Sequence, residues 1–151
     1  MLLAKNRRAL YDYQLIEKFI AGIALKGYEV KAIREKKVNF EGSYVSVKPN
    51  GVFVENLNIG RYSKQSQEID EQNTRKPRRL LLNKREIEKL KRELHEKGKT
   101  AVPLALILRN NLVKLEFAVA KGKKKYGKKQ TEKEKQIDKE MKKTAKEFAR
   151  G

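Results

Sequence analysis

The end of the chain carries a block of positive charge that is unsuited to a packed core. Residues 121–151 hold 13 Lys or Arg against 5 Asp or Glu and begin Lys121-Gly-Lys-Lys-Lys-Tyr126-Gly-Lys-Lys129. Such a terminal block is usually an unfolded arm that gains affinity for nucleic acid by releasing counterions. The alternative is a solvated tail that only aids solubility, but Tyr126 favours binding because an aromatic ring can stack on a base. Residues 1–120 are therefore the predicted folding unit, and residues 121–151 are called the C-terminal tail.

The positive charge is not confined to the tail. The formal net charge of the 151 residues is +19, and residues 1–120 alone hold 25 basic and 14 acidic residues. Basic character on both parts indicates a polyanionic partner such as RNA. A membrane surface would also attract this charge, but no run of 18 apolar residues and no signal-peptide core is present. The chain has no Cys, which excludes disulfides and thiolate metal sites. We expect a cytoplasmic, monomeric protein without a cofactor.

Alternating apolar residues predict that the first half of the body is mostly strand. The apolar positions of 13–25 have period two, so we predict a long strand that bends near Gly22. A helix over 9–20 is the alternative, and 28–34 has the spacing of a short helix. Two further strands, 43–48 and 52–57, flank Pro49-Asn50-Gly51, where Asn-Gly supplies the positive φ angles of a hairpin turn.

The second half of the body is predicted to contain an exposed loop, a helix and another hairpin. Residues 60–78 are polar and turn-like. Asn83–Lys97 is the clearest helix, with Asn83 and Glu86 as a capping box and Gly98 at its end. The lone His95 falls on its polar side and is interpreted as a surface residue. Strands 102–108 and 112–120 then pair across Asn110-Asn111, the second with one packed face and one charged face.

These elements predict a mainly β (α+β) fold. A small, OB-like antiparallel β-barrel with flanking helices is the economical arrangement, because closure of the sheet removes unpaired edges. The tail has its own helical pattern, with Thr131 and Glu134 spaced as a capping box. An apolar stripe follows at Ile137, Met141, Ala145 and Phe148. This stripe is narrow, so we predict a tail that is disordered when free and helical on a binding surface; permanent disorder is the alternative.

No catalytic constellation is present, and we predict a binding protein rather than an enzyme. The sequence has a single His, no Cys, no phosphate-cradling GxxxxGK[ST] and no dinucleotide-binding GxGxxG. The candidate RNA-binding cations of the body lie at the ends of elements or on a strand face: Lys31, Arg34, Arg78, Arg79 and Lys114. Those of the tail are Lys123, Lys124, Lys128 and Lys129. Arg suits bidentate contact with phosphate, and Lys supplies a point charge.

A set of short motifs, in order from residue 6 to about 129, resembles the bacterial SsrA-binding protein (SmpB) family. The matching stretches are Asn6-Arg-Arg-Ala9 with Asp12-Tyr13, Ala21-Gly-Ile-Ala-Leu-Lys-Gly27, Glu29-Val-Lys-Ala-Ile-Arg34, Val38-Asn-Phe40 with Ser43-Tyr44, Lys76-Pro-Arg-Arg-Leu-Leu-Leu82, Lys84-Arg-Glu-Ile87, Val102-Pro-Leu104 and Ala120-Lys-Gly-Lys-Lys124. The chain departs from the family at three places. Ile20 replaces the usual Glu, Gly127 replaces an acidic residue, and Lys31-Ala32 replaces Lys-Ser.

The resemblance implies an RNA-binding adaptor for trans-translation, the rescue of stalled ribosomes by transfer-messenger RNA (tmRNA). It implies that the barrel holds the tRNA-like domain of tmRNA through Asn6, Leu81 and Lys114. It further implies that the tail enters the decoding centre and the empty mRNA channel of the small subunit, with Tyr126 and Ile137 as contacts. A structural ribosomal protein or a general basic RNA-binding protein is the alternative, because both are also small and basic.

Overall fold

The computed structural model describes residues 1–63 and 74–122. The strands in these ranges are β1 (Leu2–Lys5), β2 (Tyr13–Ile23), β3 (Val38–Asn39), β4 (Tyr44–Lys48), β5 (Gly51–Glu55), β6 (Asn58–Ile59), β7 (Arg78–Leu81), β8 (Lys99–Arg109) and β9 (Leu112–Gly122). The helices are α1 (Ala9–Asp12), α2 (Gly27–Arg34) and α3 (Lys84–His95). Most of the predicted 60–78 loop and nearly all of the tail, including its predicted helix, lie outside the described residues.

Seven strands form one antiparallel sheet that closes into a barrel. The order is β1-β8-β4-β5-β7-β2-β9, and β9 pairs again with β8. The ring closes because β9 runs along one edge of β8, while β1 and β4 share its other edge. The predicted mainly β fold, a small OB-like barrel with flanking helices, is confirmed. The short pair β3–β6 stands apart as a two-stranded sheet that the sequence patterns do not predict.

The predicted long strand is β2, and it pairs with β9 along most of its length. A shift in register falls between Leu15 and Glu17, whereas the pairing at Gly22 is regular. No register shift marks the predicted bend near Gly22, and that bend stays a prediction. The alternative of a helix over 9–20 is wrong, because only α1, the first four of those residues, is helical.

Both predicted hairpins are present, with different turns. Asn110 and Asn111 both have positive φ, 52° and 62°, as a type I′ turn in a two-residue hairpin loop requires. In the β4–β5 hairpin, Lys48 pairs with Gly51, and of the turn residues only Gly51 has a positive φ, 144°. The prediction that Asn50 shares this conformation is wrong, because the chain reverses over Pro49-Asn50 before it reaches the glycine.

The barrel interior forms the main core. Phe19 and Phe117 stack there with ring centroids 5.2 Å apart and planes at 9°, and α2 covers the barrel with Ala32 and Ile33, both fully buried. A second, smaller cluster lies on the other face of β8 and β9. Its members are Ala9, Leu15, Val102, Leu104, Ala118 and Ala120. The prediction that this face of β9 carries charge holds at Lys114 and Glu116, and from Ala118 onward the face is packed, because α1 and the start of β2 cover it.

The predicted helix at 83–97 is confirmed as α3. The Asn83 side chain accepts a hydrogen bond from the Glu86 backbone N–H at 2.8 Å, and the Glu86 carboxylate accepts one from the Asn83 N–H at 3.1 Å. Leu90 is fully buried, and Gly98 has φ 87° after the helix ends. The predicted short helix is α2. Local capping signals thus define α3, and its apolar face fixes it on the barrel.

Candidate nucleic-acid interface

A row of three residues crosses the outer face of the barrel on β7, β2 and β9. Gly22 pairs directly with Leu81 on one side and with Lys114 on the other. Residues directly opposite each other in a sheet share a face, and the alternate residues Leu80 and Leu115 are buried inside the barrel. The row therefore faces outward and brings together two of the predicted RNA-contact residues, Leu81 and Lys114.

The glycine in this row allows a close approach of its neighbour. A Cβ at Gly22 would lie 3.2 Å from the Cβ of Leu81, which is tighter than an ordinary van der Waals contact. The Leu81 side chain covers the glycine and still remains 61% exposed. An exposed leucine near a lysine offers apolar contact to a base or sugar and charge to a phosphate.

Ile20, one of the departures from the family pattern, lies two residues before Gly22 on the same face of β2. It pairs directly with Glu116 of β9, which is only 5% exposed and lies 3.6 Å from the Lys18 ammonium. A carboxylate at position 20 would stand opposite Glu116, and like charges in that arrangement are destabilising. The isoleucine avoids this repulsion.

Arg79 extends the outward face along β7. It is exposed, and its guanidinium carbon lies 5.2 Å from the centroid of the Phe53 ring on β5. Lys48 of β4 also lies over this ring, at 5.5 Å, but its ammonium is 3.0 Å from the Glu55 carboxylate. Arg79 is thus placed with Leu81 on a face that carries cations and an aromatic ring.

Arg78 does not belong to the candidate interface. Its side chain is 1% exposed and ion-paired with Glu29 of α2 at 2.5 Å. It also donates hydrogen bonds to the carbonyl oxygens of Leu57 at 2.6 Å and Thr74 at 2.9 Å. Because neighbours in a strand point to opposite faces, Arg79 is outside while Arg78 is inside, and the prediction that Arg78 contacts RNA is wrong for this fold.

Lys31 and Arg34 lie on α2 and are both exposed. The Lys31 ammonium is 5.2 Å from the Tyr62 ring centroid, and Arg34 borders a small cavity of about 250 Å³ beside Met1 and Leu108. They form a patch on the helix rather than on the sheet face.

The C-terminal end of α2 also holds the chain just before residue 64. The Glu35 carboxylate accepts hydrogen bonds from the Ser63 N–H at 2.9 Å and hydroxyl at 2.5 Å. The Ser63 hydroxyl, followed by its N–H, holds the pKa of Glu35 below its usual value. Since the ionised form is favoured in the fold, this contact persists above the ordinary Glu pKa and weakens as the pH falls through the lowered one.

Asn6 is the third RNA-contact residue that the family resemblance implies. It lies beside an open cleft of about 790 Å³. Its side-chain amide donates to the Pro103 carbonyl at 2.8 Å, and its backbone N–H donates to the Leu104 carbonyl at 2.7 Å. These bonds fix the end of β1 against β8. Exposed Arg7 and Arg8 line the same cleft, a cationic surface that the adjacent arginines in the sequence could have indicated.

The predicted tail contacts lie outside the described residues: Lys123, Lys124, Tyr126, Lys128, Lys129 and Ile137. The last described strand, β9, runs to Gly122, where it pairs with Tyr13. The barrel therefore includes two residues beyond the predicted boundary at 120.

The outward face around Gly22 carries groups suited to binding a polyanion: the cations Lys114 and Arg79, the exposed Leu81 and the Phe53 ring. No group of three His, Asp or Glu side chains suited to a metal ion occurs among residues 1–63 and 74–122. The same part of the chain contains no helix long and apolar enough to cross a membrane.

Sequence reasoning missed Phe53 and Lys48. Phe53 lies between Val52 and Val54, which are 2% and 0% exposed. Strand alternation alone would have placed the phenylalanine on the outer face, so the signal was present in the sequence.

Comparisons of this chain with protein families, with known sequences and with solved structures agree on one family. The model of the family "SmpB protein" matches residues 3–147. The SsrA-binding protein of Thermosipho melanesiensis is 42% identical over 141 residues, which cover 93% of this chain and 95% of the relative. That of Halothermothrix orenii is 40% identical and covers 99% of this chain and 95% of the relative. A solved chain from "tmRNA-SmpB: a journey to the center of the bacterial ribosome" matches with a TM-score of 0.67 and 39% identity, covering 88% of this chain and 92% of the solved one.

Proposed function

This chain belongs to the SmpB protein family, and on that premise we propose that it binds tmRNA and acts on the ribosome in trans-translation. The observation that carries the proposal is the outward row on β7, β2 and β9. Leu81 and Lys114 flank Gly22 there, and Arg79 lies two residues from Leu81 on the same strand face. Folded RNA is recognised largely by shape and by contacts to phosphate and sugar, which is the chemistry that this face supplies.

Within that function we propose a division of work between the barrel and the tail. The barrel holds the tRNA-like domain of tmRNA, while the tail contacts the small-subunit decoding centre and the empty mRNA channel. The tail would then replace the codon–anticodon pairing that tmRNA lacks. The protein acts as an adaptor without catalysing a reaction, and it works in the cytoplasm, where it meets the ribosome.

The first test compares two leucines that are almost equally exposed, Leu81 at 61% and Leu112 at 60%. Leu81→Asp should weaken binding of the full chain to a tRNA-like-domain transcript by about tenfold or more, a loss of at least about 1.4 kcal/mol. The new carboxylate removes the apolar contact and repels phosphate. Gel-shift titration measures the effect, with thermal unfolding to check that the variant folds.

Leu112→Asp is the matched control, because it makes the same change in charge on an equally exposed leucine. Its affinity should stay within about threefold of the parent chain, well under the 1.4 kcal/mol of a tenfold change. Because Leu112 lies two residues from Lys114 on the same outer face of β9, equal loss in both variants would mean that negative charge on this face governs binding and would contradict a specific apolar contact by Leu81. No binding by the parent chain would contradict the proposed function itself.

The second test is salt dependence. The net charge of +19 predicts an electrostatic mode that neutralises about five or more phosphates, which gives a slope of log K against log salt near −3.5 or steeper. Titration at several KCl concentrations measures this slope. A slope close to zero would refute the electrostatic mode.

A high-salt wash of ribosomes distinguishes an adaptor from a structural ribosomal protein. An adaptor is released by the wash, while a structural ribosomal protein stays bound.

A further inference from the structure

Arg79 is held in place by two residues of the neighbouring hairpin. It pairs directly with Phe53 in the β5–β7 ladder, and its guanidinium carbon lies 5.2 Å from the centroid of that ring. The guanidinium also packs against Gly51, because a Cβ at Gly51 would lie 2.8 Å from the Arg79 Nη1 atom. A ring on one strand and bare backbone at the adjacent turn therefore define where the guanidinium lies.

The hydrogen-bonding groups of this guanidinium have no partner in the described part of the chain. No hydrogen bond or ion pair joins the Arg79 side chain to any residue in 1–63 or 74–122. Its two cationic neighbours differ, since Lys48 is paired with Glu55 and Arg78 is buried on Glu29. Arg79 thus combines an exposed charge with a defined position and N–H groups available to a ligand.

We infer that Phe53 and Gly51 are positioning residues that hold Arg79 as a preorganised site for one phosphate of the RNA backbone. This inference rests on the proposed function and extends it. A planar guanidinium can bind phosphate through two parallel hydrogen bonds. Contact with the ring and with the glycine backbone restricts the arginine before RNA arrives, so less side-chain freedom is lost on binding.

A double-mutant cycle in the full chain tests the role of Phe53. Arg79→Gln should weaken binding to a tRNA-like-domain transcript and reduce the magnitude of the salt slope by about 0.7 to 0.9, the contribution of one phosphate. Phe53→Leu keeps an apolar side chain but loses the ring and should weaken binding about two- to fivefold, the size of an exposed cation–π contact. The effect of Phe53→Leu should disappear when Arg79 is already Gln.

The role of Gly51 is tested against a second glycine with a positive φ. Gly51→Ala should displace the guanidinium and weaken binding about as much as Phe53→Leu, again only when Arg79 is present. Gly98→Ala is the control for backbone strain, since Gly98 has φ 87° and no atom lies within 4 Å of its added Cβ. Gly98→Ala should lower thermal stability without changing the affinity for RNA.

Arg79→Lys and Arg92→Gln complete the set. Arg79→Lys keeps the charge, so it should retain the salt slope while losing affinity, because an ammonium lacks the planar fork. Arg92→Gln removes an exposed charge from α3 and should leave the affinity within about twofold, under 0.5 kcal/mol.

The inference is overturned if Arg79→Gln leaves the salt slope unchanged, if Arg92→Gln weakens binding as much as Arg79→Gln, or if Phe53→Leu acts as strongly without Arg79. Each of these results leaves the proposed function intact provided that the parent chain binds the RNA and Leu81→Asp binds it about tenfold more weakly or worse.

Discussion

Arg78→Met should lower the free energy of unfolding by about 3 to 5 kcal/mol, the cost of removing one partner of a buried ion pair. The substitution leaves the Glu29 carboxylate, whose side chain is 4% exposed, without its closest cation. It also removes the donors to the carbonyl oxygens of Leu57 and Thr74. Because Arg78 joins β7 to α2 and to the chain after β5, these losses affect three parts of the fold together. Urea unfolding measures the effect as a lower midpoint at an unchanged slope.

The neighbouring arginine provides a matched control. Arg79→Met makes the same chemical change one residue along the same strand but on the exposed face, so it should change the stability by no more than about 0.5 kcal/mol. The pair Arg78→Met and Glu29→Leu should recover much of the stability lost by Arg78→Met alone, since no buried charge then lacks a partner. Similar stability losses for Arg78→Met and Arg79→Met would contradict the assigned interior role of Arg78.

The elements that the sequence predicted well are those with local signals. The capping box of Asn83 and Glu86 satisfies its backbone groups within one helical turn, so α3 is defined without any distant partner. Asn110 and Asn111 adopt positive φ within their own turn. The β3–β6 pair has no such signal, because two residues per strand are too few to show a period, and the pairing of Val38 with Ile59 depends on the folded chain.

The candidate interface was less predictable because it depends on which side of each strand faces inward. Arg78-Arg-Leu-Leu81 places two charged residues before two apolar ones, so the segment has no alternating pattern. The pairing of β7 with β2 and β5 determines which of its residues face inward, and it buries Arg78 and Leu80. The alignment of Leu81, Gly22 and Lys114 likewise follows from register between strands that are far apart in sequence. Residue types indicated the candidates, and only the register selected among them.

Truncation after Gly122 should separate the two proposed activities. The cut leaves β9 whole, including the pair between Gly122 and Tyr13. The truncated chain should therefore fold and retain most of its affinity for the tRNA-like domain, while peptide tagging on stalled ribosomes is lost. Equal loss of RNA binding and tagging in this variant would contradict the division between barrel and tail.

Ile137→Asp with Met141→Asp should abolish tagging while the barrel still binds RNA. Ile137, Met141 and Phe148 share one face only if the tail is helical, because Met141 and Phe148 are seven residues apart and would lie on opposite faces of a strand. An apolar side chain buried on the ribosome contributes about 1.5 to 3 kcal/mol, and two lost contacts therefore exceed a tenfold effect. Tagging of a peptide from an mRNA without a stop codon measures the loss.

The control for this double substitution is Lys139→Gln with Lys146→Gln. It changes the net charge by the same two units, on the opposite side of the same predicted helix, and should preserve most tagging.

Circular dichroism of the isolated 121–151 peptide should show little helix in buffer, because a narrow stripe among lysines cannot stabilise a free helix. A strongly helical free peptide, or full tagging by the Asp variant, would show that the stripe does not fold on binding. If the Lys→Gln control lost tagging as completely as the Asp variant, charge rather than the apolar stripe would hold the tail on the ribosome.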